Sequence, residues 1–194
     1  MTITRDSLLT LEAYARARPA IRAEVMAQKK LRRVFLGEHV MLLFENELLI
    51  RYQIQEMLRL EKIFEEDGIA HELASFAPLA PDGSNFKATM QIEYTDDKER
   101  QRMLAQLKGI EDQVWTQMAG CDKVFAIADE DLERENASKT AAVHFLRFEF
   151  SPAQRAAARA GAALEVGVDH PRYSASSGTL AAAVRVALVG DLTG

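Results

Sequence analysis

The sequence contains almost no cysteine. Cys121 is the single cysteine among 194 residues, which excludes an intrachain disulfide and the usual multi-cysteine zinc and iron–sulfur clusters. Such scarcity is typical of proteins in a reducing compartment, and we expect the protein to be cytoplasmic. Cys121 has neither a histidine nor several lysines beside it in the sequence, so we interpret it as a small buried hydrophobic residue.

Long apolar runs and an excess of positive charge are also missing. No run approaches the ~18 consecutive apolar residues of a membrane-spanning helix, and residues 1–19 lack the basic region and apolar segment of a secretory signal. Asp and Glu number 29 against 24 Lys and Arg, which gives a net charge of −5. Binding to nucleic acid through neutralisation of phosphates is therefore not expected, and neither is binding to a membrane.

Apolar residues, by contrast, are abundant. They make up 48% of the chain, which is enough at this length for one substantial core. Helix-like and strand-like segments are neither segregated nor strictly alternating, and no linker rich in proline, glycine and serine divides the chain. We predict a single α+β domain over residues 1–194, with a helical arm at about residues 4–30. Its mixed or antiparallel sheet of about five to six strands is covered by helices.

Turn and cap residues predict two elements near the middle of the first half. The β-rich run VFLGEHVMLLF (34–44) contains Gly37 and Glu38 at the place where a hairpin turns. Asn46 follows this run and is placed to cap the N-terminus of a helix over residues 47–67.

The next elements are predicted from alternation and from a capping box. Apolar and polar residues alternate over residues 86–94, which indicates a strand with one solvated face. Asp96 and Glu99 form a capping box for a helix that continues to about residue 119. The charged segment 130–140 is interpreted as a loop.

Near the C-terminus, Ser151 and Pro152 provide an N-cap and a first-turn proline for a short helix that Gly161 ends. A strand is predicted over residues 163–169. A last helix is predicted from about residue 177 to residue 188.

The helix predicted over residues 47–67 carries a dense set of amide, carboxylate and guanidinium groups. At 100° per residue most of them form an exposed face opposite an apolar arc. Gln53 and Glu61 instead project within or beside that arc. Because burial of an amide or a carboxylate without a partner costs several kcal/mol, each is expected either to hydrogen-bond inside the core or to line a polar cavity.

A second candidate region is VDHPRYSASSGTL, residues 168–180, where a strand is predicted to end and the last helix to begin. A helix N-terminus offers free backbone N–H groups to a phosphate or a carboxylate. The alternative is that the serines only cap the helix. If both regions form one pocket, the predicted ligand-binding residues are Gln53, Glu56, Arg59, Glu61, His170, Arg172 and Tyr173.

Well-known catalytic and metal-binding signatures are absent from the sequence. The four histidines have no ligand spacing, and there is no His-Glu-x-x-His run, Walker loop, nucleophile elbow or dinucleotide fingerprint. We therefore predict no metal site and assign no cofactor or catalytic residue. A metal-dependent enzyme or metalloprotein that uses histidines with Glu45, Glu56 and Glu61 is an alternative.

Five strings along the chain resemble a bacterial family catalogued as domain of unknown function 3501. They occur in order and span nearly the whole chain: LFEN (43–46), RYQIQEMLRLEKI (51–63), KGIED (108–112), VHFLRFEFSPAQR (143–155) and VDHPRY (168–173). The family pattern also has a Tyr-Asn-x-Leu-Ile-Pro segment where this chain reads FAPLAP (76–81). No role of that tyrosine or asparagine therefore carries over.

The resemblance implies a context without an activity. Members of the family are often encoded beside rubrerythrin-like proteins and an iron–sulfur protein similar to heterodisulfide reductase subunits, which implies an accessory role in peroxide or redox defence. We expect a binding or accessory protein that holds a small anionic ligand or a partner, the partner being a rubrerythrin-like or iron–sulfur protein. A metal-dependent enzyme of the same pathway and a structural assembly subunit, including a homo-oligomer, are the alternatives.

Overall fold

The structure, a computed structural model, describes residues 3–130, 134, 136 and 138–193. The helices of this part of the chain are α1 (Leu11–Lys30), α2 (Glu47–Glu61), α3 (Glu66–Phe76), α4 (Asp97–Gln106), α5 (Pro152–Arg159) and α6 (Ala182–Val189). Its strands are β1 (Arg33–Leu36), β2 (Val40–Phe44), β3 (Asn85–Ile92), β4 (Val114–Met118), β5 (Val124–Phe125), β6 (Ile127–Ala128), β7 (Val143–Glu149), β8 (Leu164–His170) and β9 (Tyr173–Thr179). The loop predicted over residues 130–140 lies partly outside the described residues.

The strands form two antiparallel sheets, and the predicted α+β class is confirmed. The first sheet has the order β1-β2-β3-β7-β6 and the second has the order β5-β4-β8-β9. The described strands are therefore divided between two sheets, where we expected one sheet of about five to six strands. Side chains of both sheets, such as Leu42 and Met90 of the first and Val166 of the second, pack into one apolar core. Burial of this apolar surface is the dominant favourable contribution to folding.

The predicted hairpin is confirmed as β1 and β2. Leu36 pairs with Val40 across a turn in which Gly37 has a φ of +68°, a conformation that glycine adopts at little cost. A Cβ atom at position 37 would lie 2.6 Å from the hydroxyl oxygen of Tyr173. Both the backbone conformation and the approach of the β9 side chain therefore require glycine at this position.

The predicted N-caps of α2 and α4 are also confirmed. Asn46 Oδ1 accepts a hydrogen bond from the backbone N–H of Leu49 at 2.9 Å. Asp96 Oδ1 accepts one from the N–H of Glu99 at 2.8 Å. Each bond satisfies one of the backbone donors that the first turn of a helix leaves without an intrahelical acceptor.

The predicted C-terminal ends of the same two helices are wrong. α2 ends at Glu61, and Lys62 adopts a left-handed backbone with a φ of 56°. α4 ends at Gln106, shortly before Gly109, whose φ is +74°. The left-handed Lys62 ends α2, whereas the C-cap of α4 is Leu107 with a φ of −98°, two residues before Gly109. β4 occupies part of the stretch that was predicted to be helical in α4.

The C-terminal region differs from the prediction as well. Residues 173–179 form β9, which pairs with β8 across the short connection at Pro171 and Arg172. The last helix begins at Ala182, five residues later than predicted. No helix N-terminus therefore follows the end of β8.

Helices cover part of the outer face of the first sheet, the face that points away from the core. Met41 and Leu43 of β2 pack there against Leu49 of α2, and α1 packs on α2 through Tyr14 and Tyr52. The outer face along β3 and β7 is covered less completely. Within the described residues, no helix combines the length and the apolar character needed to cross a membrane.

Candidate functional site

A cleft lies on the outer face of the first sheet, beside the chain segment that joins α3 to β3. It consists of two adjoining cavities of about 480 Å³ and 240 Å³. The first volume lies within the range of about 300–1,000 Å³ that is typical of small-molecule sites, and the second lies just below it. Both cavities are lined by Glu45, Leu79, Thr89 and Phe145. We call this region the sheet cleft.

Glu45 is the most unusual residue of the sheet cleft. It follows β2 directly, and its backbone N–H still donates to the carbonyl of Lys87 on β3 at 2.7 Å. The residue is 8% exposed, and the hydroxyl of Thr89 donates to its Oε1 at 2.7 Å. None of the ion pairs formed among the described residues includes Glu45.

This environment changes the acidity of Glu45. Burial raises the pKa of the carboxyl group, and it does so against the Thr89 hydrogen bond and the positive charges of Lys29 and Arg32. Desolvation therefore dominates, and the protonated form is favoured relative to an exposed glutamate. A protonated carboxyl group can donate a hydrogen bond as well as accept one.

Charged side chains surround the apolar floor of the sheet cleft. The register of β3 and β7 places Lys87 directly opposite Arg147, a pairing of like charges that would be destabilising without acidic partners. Arg147 donates to Glu130 through Nε and Nη2 at 2.7 Å each, and through Nη1 to Glu149 at 2.7 Å. Hydrogen bonds from Arg147 lower the pKa of Glu130. Lys87 donates to the carbonyl of Pro78.

The residues predicted on α2 occupy less buried positions than expected. Gln53 and Glu61 are both exposed and neither is buried in the core. Gln53 lines the smaller cavity of the cleft, which is one of the two expected alternatives, whereas Glu61 lines neither cavity. The buried amide is that of Gln55, which is 3% exposed. It accepts from the N–H of Leu9 at 2.7 Å and donates to the Leu9 carbonyl at 3.3 Å. These bonds fix the N-terminal segment to α2.

Glu56 and Arg59 belong to an ion-pair network that links α1 to α2. Glu56 accepts from Arg18 at 2.7 and 2.9 Å, from the Tyr14 hydroxyl at 2.7 Å, and from Arg59 at 3.3 and 3.2 Å. Hydrogen bonding, from Arg18 above all, lowers the pKa of Glu56 to about 2. The carboxylate is thus engaged by its own neighbours.

Among the residues predicted near the C-terminus, Tyr173 joins the two sheets. The hydroxyl of Tyr173 donates to the Leu36 carbonyl at 2.6 Å and accepts from the N–H of His39 at 3.0 Å. His170 is 8% exposed, and its Nδ1 accepts from the N–H of Arg172 at 3.2 Å. The side chain of Arg172 is exposed. Because β9 replaces the predicted helix start, the expected anion site at a helix N-terminus is not formed.

The two predicted groups do not meet in one pocket. Tyr173 contacts His39, which precedes β2, whereas Glu45 and Gln53 lie beyond the other end of β2. Positions 39 and 45 are six steps apart in the chain, which corresponds to about 20 Å along a strand. The structure therefore places the α2 residues and the β8–β9 residues at opposite ends of the hairpin.

A second polar cluster lies on the inner face of the first sheet, and sequence reasoning missed it. Asp129 Oδ2 is 2.6 Å from Nδ1 of His144 on β7. Nε2 of His144 is 2.9 Å from the hydroxyl of Thr140, which lies 3.2 Å from the nearer carboxylate oxygen of Glu111. We call Glu111, Asp129, Thr140 and His144 the buried cluster. His144 and Thr140 are 0% and 1% exposed.

The alternative metal ligands that the sequence suggested are not assembled. Glu56 is held by arginines, and Glu61 is exposed. Within the described residues, the set of His, Asp and Glu whose donor atoms all lie within 4.8 Å of one another is Glu111, Asp129 and His144. The missed signal was His144, which occupies the apolar phase of its strand together with Leu146 and Phe148.

Comparisons with known proteins identify the family. A crystal structure described as that of a novel protein of unknown function from Burkholderia pseudomallei K96243 is 55% identical in sequence, with all of both chains covered and a TM-score of 0.94. A search of curated proteins found no match. The family model described as protein of unknown function (DUF3501) matches residues 2–192. The chain therefore belongs to the DUF3501 family, as the resemblance predicted.

Proposed function

We propose that the protein is a binding or accessory protein that holds a small anionic molecule in the sheet cleft. The observation that carries this proposal is Glu45, whose carboxyl group is buried where the two cavities adjoin and is bonded through Oε1 to Thr89 alone among the described residues. A buried ionisable group with a perturbed pKa inside a cleft is typical of functional sites.

The charges of the cleft favour an anionic group on the ligand. Its acidic side chains Glu130 and Asp82 are bonded by their neighbours, Glu130 by Arg147 and Asp82 by Ser84. Lys29, which lines the smaller cavity, has no carboxylate within ion-pair distance among the described residues. With Glu45 biased towards its protonated form, Lys29 contributes a positive charge that an anion can neutralise.

The floor of the cleft favours an apolar body on the same ligand. Leu43, Leu79 and Phe145 line it, and contact with such side chains removes apolar surface from water. A carboxylate head could accept hydrogen bonds from Lys29 and from a protonated Glu45, while an aliphatic or aromatic body covers the floor. The expected ligand class is thus a small hydrophobic carboxylate.

Binding of octanoate and phenylpropionate, followed by calorimetry and by protein-observed NMR, tests the proposal. Both should bind more tightly than octanol, which has the apolar body without the charge. Lys29→Gln should weaken octanoate binding by about tenfold, which corresponds to about 1.4 kcal/mol. Lys30→Gln removes the same charge from the adjacent, exposed position and is the matched control.

Two results would contradict the proposal. One is equal affinity for octanoate and octanol, since the charge of the ligand would then be irrelevant. The other is chemical-shift changes that avoid Thr89 and Phe145. Mass spectrometry of the protein under native conditions, purified without added carboxylates, would identify a molecule that co-purifies.

The remaining parts of the functional hypothesis stay predictions. They are the cytoplasmic location, the link to peroxide or redox defence, the rubrerythrin-like or iron–sulfur partner, and the roles as an enzyme or an assembly subunit. Co-expression with the neighbouring genes, compared with expression of this chain alone, measures whether a partner co-purifies. Stable co-purification in the absence of any cleft ligand would favour the assembly role.

A further inference from the structure

We propose that Glu111, Asp129 and His144 of the buried cluster bind one divalent first-row transition-metal ion, with Asp129 and His144 as its principal ligands. This site is separate from the sheet cleft. His144 and Phe145 are consecutive residues of β7, so their side chains point to opposite faces of the sheet. Phe145 lines the cleft, whereas His144 is fully buried on the core side.

The spacing of the donor atoms suits a single ion. One donor atom from each of the three residues lies within 4.8 Å of the other two. Protein nitrogen and oxygen ligands bind such metals at about 2.0–2.2 Å, so ligands on opposite sides of one ion are about 4.4 Å apart. Neighbouring ligands of one ion are about 3.0–3.4 Å apart, so the 2.6 Å between Asp129 Oδ2 and His144 Nδ1 would have to lengthen when both bind the ion.

The chemistry of the donor set restricts the kind of metal. One imidazole nitrogen and two carboxylates form a ligand set of intermediate hardness, which suits Zn²⁺, Fe²⁺, Co²⁺ or Mn²⁺. Calcium and magnesium prefer sites made of oxygen alone. The site contains no thiolate for metal ions that prefer sulfur ligands, because Cys121 is the single cysteine of the chain and lies outside the cluster.

Both ring nitrogens of His144 have hydrogen-bond partners in the structure. Nδ1 faces the carboxylate of Asp129 at 2.6 Å, and Nε2 faces the carbonyl of Ala141 at 3.1 Å as well as the Thr140 hydroxyl. The carboxylates of Asp129 and Glu111 lie 2.6 Å from Nδ1 and 3.9 Å from Nε2 of the imidazole. A metal ion bound at these atoms would supply a positive charge that neutralises both carboxylates.

Neighbouring groups already orient the proposed ligands. Asp129 Oδ1 accepts from the N–H of Phe145 at 3.0 Å and from Nη1 of Arg134 at 3.2 Å, which leaves Oδ2 directed at His144. The Thr140 hydroxyl donates to Glu111. Outer partners of this kind fix ligand geometry in metal sites, and their loss typically reduces affinity by about 10–100-fold.

The bond to the ion would form through the lone pair of one ring nitrogen of His144, while Asp129 and Glu111 would bind as carboxylates. No oxidation takes place.

The test uses the full chain expressed without a polyhistidine tag and stripped with a chelator. Titration with Zn²⁺ and Co²⁺ should show about one ion per chain, with visible absorption for Co²⁺. His144→Gln should reduce Co²⁺ affinity by at least about tenfold. His71→Gln, which changes an exposed histidine of α3, should leave the affinity unchanged.

A second variant keeps the test decisive if His144→Gln does not fold. Asp129 has a φ of 51°, and asparagine tolerates this left-handed conformation nearly as well as aspartate does. Asp129→Asn is therefore a conservative change that removes the charge, and it should weaken Co²⁺ binding even if His144→Gln does not fold. Circular dichroism verifies the fold of each variant.

Three outcomes would overturn the metal site. The first is a metal content below about 0.1 ion per chain at saturating Zn²⁺. The second is Co²⁺ binding that Asp129→Asn leaves unchanged. The third is Co²⁺ binding that produces no visible absorption band. Each would identify the buried cluster as a hydrogen-bond network that only joins β7 to the segments around Glu111 and Asp129.

Discussion

Glu45→Gln should remove a dependence of stability on pH that the wild-type protein shows above about pH 4.5. Burial raises the pKa of Glu45 above its usual value of 4.5, so the native state holds this proton at pH values where the unfolded chain has lost it. Stability contributed by the protonated form is present at low pH and declines as pH rises from about 4.5 through the raised pKa. Glutamine is uncharged at every pH and cannot contribute this decline.

The size of this pH effect follows from the number of protons that the native state binds in excess of the unfolded state. While the native state holds one proton that the unfolded state lacks, the free energy of unfolding falls by about 1.4 kcal/mol per pH unit. The slope ends once pH exceeds the pKa of Glu45 in the native state. The variant should therefore gain stability over the wild type across this window and then keep a constant advantage.

Urea denaturation at half-unit intervals between about pH 4 and pH 8 measures this difference. Glu24→Gln, on the exposed surface of α1, controls for the loss of one acidic group. Parallel pH profiles for the wild type and Glu45→Gln would refute the reasoning. Such a result would mean that Glu45 is ionised in the native state and that a cation satisfies it.

Three further predictions concern the stability of other contacts. Arg32→Met should cost about 3 kcal/mol in urea denaturation, because it leaves the largely buried Asp191, bonded at 2.6 and 2.9 Å, without its partner. Gly37→Ala should cost about 1–3 kcal/mol, since alanine is strained at a φ of +68° and its Cβ meets the Tyr173 hydroxyl. Part of that cost should disappear in a Tyr173→Phe background. Glu56→Gln should remove about 1–3 kcal/mol that is present above pH 4.5 and lost as pH falls towards the pKa of about 2.

Matched variants make these predictions refutable. Arg33→Met changes the exposed neighbour of Arg32 and should alter the free energy of unfolding by less than about 0.5 kcal/mol. An equally small effect of Arg32→Met would contradict the role of its ion pair. Arg18→Gln should raise the pKa of Glu56 in a carbon-detected NMR titration, because it removes the strongest hydrogen-bond donor to that carboxylate.

Features that depend on a few consecutive residues could be predicted from the sequence. The Asn46 cap of α2 and the Ser151 capping box of α5 are set by bonds to residues three positions later. The hairpin turn is set by the conformational freedom of Gly37. Such signals depend on neighbouring residues, so the caps and the turn can be predicted without knowledge of the tertiary structure.

The orientation of α2 could not be predicted in the same way. A helical wheel assumes that one arc of the helix is buried and the opposite arc is exposed. The polar side of α2 is covered by other parts of the chain: Tyr14 and Arg18 of α1 bind Glu56, and the segment at Leu9 binds Gln55. Gln55 is therefore buried where the wheel exposes it.

β9 illustrates a different failure. Its sequence, YSASSGT, is rich in serine and contains glycine, residues that do not favour strands. The segment becomes a strand because its backbone pairs with β8 and because Tyr173 reaches the first hairpin. Such contacts override local preference, and the bond between Tyr173 and Leu36 joins residues 137 positions apart in the chain.

Both candidate sites were nevertheless marked by the same pattern, a polar residue in the apolar phase of a strand. Glu45 continues the phase of Met41 and Leu43, and His144 shares the phase of Leu146. The pattern predicts burial, but the partners depend on strand register. One sheet separates the two sites, so substitutions at Thr89 and His144 should act independently. Octanoate affinity should respond to Thr89→Val but not to His144→Gln, and Co²⁺ affinity should respond to His144→Gln but not to Thr89→Val.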